Sequence, residues 1–434
     1  MNRHTKNAYT GFRWFMMIVV AVLWCTGAVP SATAEQMSVS ALLEPKEMSA
    51  NAKGAVLMDA HTGQILVEFQ KDTKIPPASF AKILTLYLVF DMIKGGKLSL
   101  DDAVVISKKA WKTEGSKMFI EVGSKVSVRE LIQGIAVVSG NDACVAIAEH
   151  VYGTTEAFVA MMNETAQKLG MRESHFDSPH GLPSEEQYTT PYDMALLARS
   201  YIQDFPEALQ FHSMQDYTYS EIKQYNRNGL LRQDPSVDGL KTGYVSAGGY
   251  HLLATAKREE RRLIAVVMGT DSRSMREKEA RKLLNYGFRH FELVPLFSQG
   301  QVLAEIPVWK GDRNTVSLVT AASGAMTVPT EFKTAISQER VFPKDIVAPV
   351  QQGQVIGKAL IKWQTDVIKS VPLVAQYEVH KAGLLKSLSH SVYLVGLENT
   401  GIFLTSGVLC IGVAVGYGLF ATRRRKRRRP GLRL

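Results

Sequence analysis

The chain has 434 residues and a formal net charge of +10, enough length for two domains beyond any targeting segments. The charge marks no nucleic-acid face: residues 1–34 hold three positive charges and no acids, residues 422–434 hold eight and no acids, and the middle is left at −1. Of the three cysteines, only Cys144 and Cys410 lie beyond the first 34 residues, so there is no disulfide framework and the fold must hold by its core.

A basic start, the apolar run "WFMMIVVAVLW" and Ala32-Thr33-Ala34 read as a secretory leader cut after Ala34. Cys25 follows Trp24, too bulky a neighbour for a lipoprotein processing site, and leaves with the leader. The apolar core is short for a retained anchor. "GAVLMDAHTGQILVEF" (54–69) is a hairpin pattern turning at His61-Thr62-Gly63. "IPPASFAKILTLYLVFDMIKGG" (75–96) predicts a helix that starts after Pro76-Pro77 and stops at Gly95-Gly96. It is apolar all the way round, the pattern of a buried helix, yet Lys82 stands in its first turn.

Helical stretches follow at 142–151 and 191–202, the second opened by Thr190 as N-cap with Pro191 and Asp193 in the first turn. Strand-like runs at 250–258 and 262–269 precede a helix near 275–286. Strands at both ends with helices between predict an α+β domain over residues 35–295 whose sheet is completed by late strands. Short alternating segments, among them "QVLAEIPVW", "TVSLV", "AMTVP" and "PLVAQYEV", predict a small all-β domain over 296–380. Residues 381–400 read as a linker. The uncharged stretch 401–421 is long enough to span a bilayer, and "RRRKRRR" behind it keeps the tail 422–434 cytoplasmic. Gly412 and Gly416 make a GxxxG pair, which reads as ordinary small residues of a membrane helix ahead of a dimer seam.

Ser79 and Lys82 lie three residues apart, on one face of a helix. Ser79 sits near the helix N-terminus, where backbone N–H groups stabilise developing negative charge. Burial favours a neutral Lys82, and a neutral amine beside a hydroxyl is a general base for a nucleophile. A charged Lys82 held by an acidic or carbonyl partner fits the sequence equally well. The plain alternative is a helix cap and a snorkelling lysine. Ser220 and Lys223 repeat the spacing in a polar context and read as a surface coincidence. Ser139-Gly140-Asn141 ends an apolar run ahead of a helix; it offers a hydroxyl and an amide for proton relay and substrate binding, or a simple cap at Asn141 or Asp142. Ser49-Ala50-Asn51 has the same form but precedes the first strand. Lys241-Thr242-Gly243 opens onto a strand, where the glycine lets a substrate backbone approach; the alternative is a loop lysine beside a turn glycine. Cys144 reads as a core thiol and His180 as a structural loop residue.

The joint order S-x-x-K, S-x-N, K-T-G is the signature of penicillin-binding proteins and related β-lactamases. "PPASFAKILT", "VVSGNDACVAIAEHVYG", "FDSPHGLP", "VDGLKTGYVSAGGYHLLATA" and "MREKEARKLLNYGF" resemble the low-molecular-mass serine D-alanyl-D-alanine carboxypeptidases, and the resemblance covers roughly residues 45–380. It implies a transpeptidase-like α+β domain with an antiparallel sheet, a β-rich second domain, and no cofactor or metal. It implies that peptidoglycan stem peptides and β-lactams acylate Ser79, that Lys82 is the base, and that Ser139 and Asn141 assist. Lys241 and Thr242, with Gly243 beside them, meet the substrate's terminal carboxylate, and Arg276 matches a family arginine near it; a solvated helix charge is the alternative for Arg276. The oxyanion lies between the backbone N–H groups of Ser79 and Tyr244, where the family often has histidine in place of Tyr244. Catalysis is expected outside the inner membrane, with the C-terminal helix as tether.

A class A β-lactamase needs a deacylating glutamate in E-x-x-L-N, and none stands between Asn141 and Lys241. The short basic tail offers no signalling domain for a penicillin-binding sensor. A zinc peptidase using His175 and His180 lacks H-E-x-x-H, and no G-x-S-x-G is present.

Overall fold

The computed structural model describes residues 45–383. The expected leader, most of the linker, the span at 401–421 and the basic tail lie outside those residues. Among the described residues no helix is long and apolar enough to cross a membrane.

The predicted hairpin forms as β1 (Gly54–Asp59) and β2 (Ile65–Phe69). Asp59 shapes its turn: Oδ1 accepts from the backbone N–H of His61 at 3.0 Å and of Thr62 at 3.1 Å. The late strands are β3 (Val237–Val245), β4 (Gly249–Arg258) and β5 (Arg261–Thr270). The sheet runs β2-β1-β5-β4-β3, antiparallel throughout, with the short strand Lys46–Glu47 added in parallel beside β2. The last strand therefore closes on the first hairpin, in register from Leu263 opposite Asp59 to Met268 opposite Gly54.

Side chains alternate between the two faces of this sheet, as a strand period of two requires. Val56, Met58, Ile264 and Val266 face a helical layer that includes α1 (Ala81–Lys94), α2 (Asn141–Tyr152), α3 (Thr155–Lys168) and α4 (Pro191–Asp204). Leu57, Ala265 and Val267 pack on the other side with Leu283 and Leu284 of α5 (Arg273–His290). Both faces are covered, which explains why the central strands read as nearly continuous apolar runs. Helix α1 ends at Gly95 as predicted and buries residues on every side, Lys82 and Thr85 included. Thr190 caps α4 by accepting from Asp193 N at 3.1 Å. The Asp193 carboxylate turns instead to Glu173 N (2.9 Å) and Ser174 Oγ (2.7 Å), tying the helix to the preceding loop.

The second domain is all-β. A six-stranded sheet has the order Ile336–Val341, Val355–Trp363, Asp366–Ala375, Thr315–Thr320, Val302–Trp309 and Ile346–Val347. A two-stranded ribbon pairs Phe291–Phe297 with Gly324–Pro329. Ile306, Val316, Leu318, Ile361 and Leu373 are among its core residues. The last predicted segment is strand only to Ala375; Val379 then makes an isolated bridge with Val350. Arg261 ties β5 to the first hairpin and to the chain that leads into the second domain: its guanidinium reaches Asp59 Oδ2 at 3.2 Å, Gly287 O at 3.0 Å and Phe291 O.

Candidate active site

Ser79 lies in a single 3₁₀ turn, Ala78–Phe80, that leads into α1. The chain enters through Ile75, bridged to Thr189, and then the two prolines. Ala78 adopts φ +48°, a left-handed conformation that an alanine occupies only where its surroundings impose it. Gly181 presses on this turn: a Cβ there would lie 1.8 Å from Ala78 O. The loop 179–181 thus fits against the nucleophile turn by backbone contact.

Lys82, one turn beyond Ser79, is fully buried. Its Nζ lies 3.0 Å from Ser79 Oγ and donates to His180 O at 2.6 Å. Thr85, one further turn along, donates to Pro179 O at 2.6 Å. Two polar side chains of an otherwise apolar helix are thereby satisfied by one loop, as buried polar groups must be. The partner of Lys82 is a neutral carbonyl, which offsets only part of the cost of burying a cation; burial pulls its pKa down to about 8, with the Arg227 guanidinium acting in the same direction.

Ser139 follows a π-helical turn, Gly134–Val138, in left-handed conformation at φ +65°. That geometry turns its hydroxyl back toward α1, where Ser139 Oγ lies 3.0 Å from Ser79 Oγ. Gly140 is the N-cap of α2, and neither Asn141 nor Asp142 takes the capping role. Asn141 donates from Nδ2 to Glu114 O at 2.7 Å. The Asp142 carboxylate accepts from Met118 N and Phe119 N, each at 3.0 Å, and from Ala143 N at 2.9 Å. These bonds hold the 114–120 loop as one wall of the cleft.

The opposite wall is the edge strand β3. Lys241 and Thr242 are buried, and Lys241 Nζ lies 3.3 Å from Thr242 O. Burial, with Lys82 nearby, pulls the Lys241 amine well below its usual range. Gly243 faces Ala78: a Cβ on the glycine would come 3.2 Å from Ala78 Cβ and 3.1 Å from His251 Cδ2, so strand and nucleophile turn nearly touch. Arg276, in the first turn of α5, is buried; it donates to Gly243 O (3.4 Å) and Arg227 O (3.1 Å), and its Nε has no partner among the described residues. Burial lowers its pKa to about 10. Tyr244 is 56% exposed, its ring 4.4 Å from that of Tyr250. Ser79, Thr242, Gly243, Tyr244 and Arg276 share a cavity of about 490 Å³.

The structure thus brings Ser79, Lys82, Ser139, Asn141, Lys241, Thr242, Gly243, Tyr244 and Arg276 around one cleft. It keeps the set-aside residues out. Ser220 and Lys223 belong to an exposed hairpin, with Lys223 paired to Asp216 at 3.2 Å. Asn51 binds Glu279 at 2.8 Å. Cys144 is fully buried in the core, and burial pushes its thiol up to about 12. His175 groups with Asp177 and Glu186, while His180 Nδ1 accepts from Leu182 N at 3.2 Å, so the two histidines form no shared metal set.

Sequence reasoning missed the supports. His251, on β4 opposite Gly243, accepts from Gly269 N at Nδ1 (2.9 Å); that fixes the proton on Nε2, which faces Pro76 O at 3.1 Å. His212 reaches Leu240 O at 2.9 Å and Tyr201 Oη at 3.0 Å. One histidine braces the nucleophile turn and the other braces β3. Burial lowers both to about 4, so both stay neutral. Each contact spans distant parts of the chain and carries no local signal.

Residues 38–272 match the D-alanyl-D-alanine carboxypeptidase family, and residues 291–381 match the C-terminal domain of penicillin-binding protein 5. The chain is 36% identical over 362 residues to D-alanyl-D-alanine carboxypeptidase DacC of Escherichia coli, covering 82% of this chain and 89% of that protein. Penicillin-binding protein 5 of Haemophilus influenzae is similar in structure, with TM-score 0.73 and 38% identity over 77% of this chain and 99% of that one. Penicillin-binding protein D2 of Listeria monocytogenes, solved with ampicillin bound, is similar with TM-score 0.52 and 29% identity over 56% of this chain and 100% of that one.

Proposed function

The chain belongs to the D-alanyl-D-alanine carboxypeptidase family of penicillin-binding proteins, and we propose that it removes the terminal D-alanine of peptidoglycan stem pentapeptides through an acyl-enzyme on Ser79. It is a serine hydrolase. The observation that carries the site assignment is the placement of Ser79 Oγ at 3.0 Å from both Lys82 Nζ and Ser139 Oγ.

Neutral Lys82 has a lone pair for the Ser79 proton while its N–H bonds His180 O. Ser79 Oγ attacks the penultimate D-alanine carbonyl, and its proton passes to Lys82. The oxyanion faces the backbone N–H groups of Ser79 and Tyr244. Collapse breaks the C–N bond, and the proton returns through Ser139 to the departing amine. Asn141 holds the substrate amide. Lys241, Thr242 and Arg276, beside Gly243, hold the terminal carboxylate, and the unpartnered Arg276 Nε supports that role. Water then attacks the ester with Lys82 again as base. β-Lactams enter the same path and leave Ser79 acylated. Release of D-alanine from diacetyl-L-lysyl-D-alanyl-D-alanine, lost in Ser79→Ala, tests the assignment; release that persists in the variant contradicts it.

The division of the chain into a leader 1–34, a catalytic domain 35–295, a β-rich domain 296–380, a linker 381–400, a span 401–421 and a tail 422–434 belongs to the same proposal. The uncharged 401–421 run and the basic cluster behind it support an inner-membrane tether with catalysis outside. A chain of residues 35–399 is expected to leave the membrane fraction yet cleave the free peptide at near full-length rates. Membrane retention of that shorter chain contradicts the tether.

A further inference from the structure

We propose, building on the carboxypeptidase reading above, that the leaving-group side of the cleft binds a second carboxylate through Arg232 and Arg273. The enzyme then prefers substrates whose departing amine carries an acidic group beyond the carboxylate beside the scissile amide.

The cavity next to Ser79 is about 490 Å³, within the range of pockets that enclose drug-sized ligands and far more than one alanine fills. Its lining joins Thr242 and Arg276 to three further arginines, Arg227, Arg232 and Arg273. Glu277 is the one acid in that lining, and it already accepts from Gln233 at 3.2 Å. Among the described residues none of the four arginines makes an ion pair with an acid. Arg227 donates to Ser116 Oγ at 2.7 Å and Arg232 to Asn226 O at 3.3 Å, both neutral partners. Arg276 spans two carbonyls and serves the first carboxylate. Arg232 and Arg273 are exposed and carry no ion pair among the described residues.

The position of Arg273 is unfavourable for the fold. It is the first residue of α5, where the helix dipole opposes a cation, and no acid accompanies it in that turn. It also adds to the repulsion felt by Arg227 and Arg276. An anion between these guanidiniums reverses both penalties. Tyr225 and Tyr244, 64% and 56% exposed, flank the route with apolar ring surface suited to the carbon chain that separates two carboxylates.

Two sources supply such a leaving group: a terminal acidic D-amino acid, or the acceptor peptide of a crosslink joined through a diamino acid. The test compares kcat/KM of the full chain for diacetyl-L-lysyl-D-alanyl peptides ending in D-alanine, D-glutamate or the neutral D-glutamine, and for a crosslinked peptide dimer. Wild type is expected to favour D-glutamate over D-glutamine by about fivefold or more at low salt, the strength of one or two exposed ion pairs. Arg232→Gln with Arg273→Gln brings that ratio to about one, and Arg273→Glu inverts it. Dimer cleavage that falls in the same variants assigns the crosslink as source; discrimination confined to D-glutamate assigns the terminal residue. Equal rates for D-glutamate and D-glutamine in wild type, or a preference that survives the double variant in protein of unchanged melting temperature, overturn the inference. Wild type that cleaves the D-alanine peptide without an acidic preference contradicts this inference alone, and wild type that releases no D-alanine contradicts the reading beneath it.

Discussion

Lys82 Nζ donates at 2.6 Å to the carbonyl oxygen of His180, a residue 98 positions away in sequence. A neutral carbonyl orients the amine and steadies its charged form far less than a carboxylate would. The amine can then titrate within the working range, as a general base requires.

The pH profile of acylation follows from that contact. With Lys82 depressed to about 8, its neutral form is the minority below that pH and dominates above it. The acylation rate is expected to rise with pH and level off with a midpoint near 8. Lys82→Ala should lose about a thousandfold in rate, the usual scale for removing a positioned base. A flat profile from pH 6 to 9 contradicts a neutral Lys82.

Gly181 is expected to tolerate no side chain. It has φ +80°, and a Cβ there would lie 1.8 Å from Ala78 O, whereas Gly123 has the same φ with nothing within 4 Å. Gly123→Ala should cost only the backbone term, about 1–2 kcal/mol. Gly181→Ala should cost more by about 2 kcal/mol through the forced backbone shift, and should slow acylation as well. Urea denaturation of the two variants checks the ordering.

Asp142 binds four backbone N–H groups on two segments. Asp142→Ala leaves those buried donors unpaired and is expected to destabilise by about 2–4 kcal/mol. Penicillin acylation should slow with it, because the 114–120 loop that positions Asn141 loses its anchor. A thermal melt and an acylation time course read the two effects separately.

The sequence made the chemistry legible and hid the scaffold. Ser79 with Lys82, Ser139 with Asn141, and Lys241-Thr242-Gly243 are linear motifs whose members sit on adjacent turns or one strand. That late strands complete the sheet was legible in the apolar runs of β4 and β5; the order of the strands was not, because pairing joins segments far apart in the chain. The carbonyl partner of Lys82, the braces of His212 and His251, and the loop anchor Asp142 depend on residues 11 to 175 positions away. Asn141 and Asp142 read equally well as caps, and only the placement of the 114–120 loop excludes that. Arg232 and Arg273 look like ordinary surface charges until the fold sets them beside Arg276.

Cys144 is expected to be inert in the native enzyme. The thiol is fully buried and its pKa is pushed up to about 12, so the reactive thiolate is scarce and unreachable. Although it lies near the Ser139 motif in sequence, burial rules out the approach of a bulky reagent. A disulfide reagent should label Cys144 only after unfolding, and Cys144→Ala should stay active. Fast labelling of folded protein contradicts the packing.

The central claim is that Ser79 is the nucleophile. Intact-protein mass spectrometry after brief exposure to penicillin, followed by mapping of the modified peptide, tests it directly. The account predicts a single adduct on Ser79, absent in Ser79→Ala. An adduct on Ser139 or Ser220, or labelling that survives in Ser79→Ala, would contradict it.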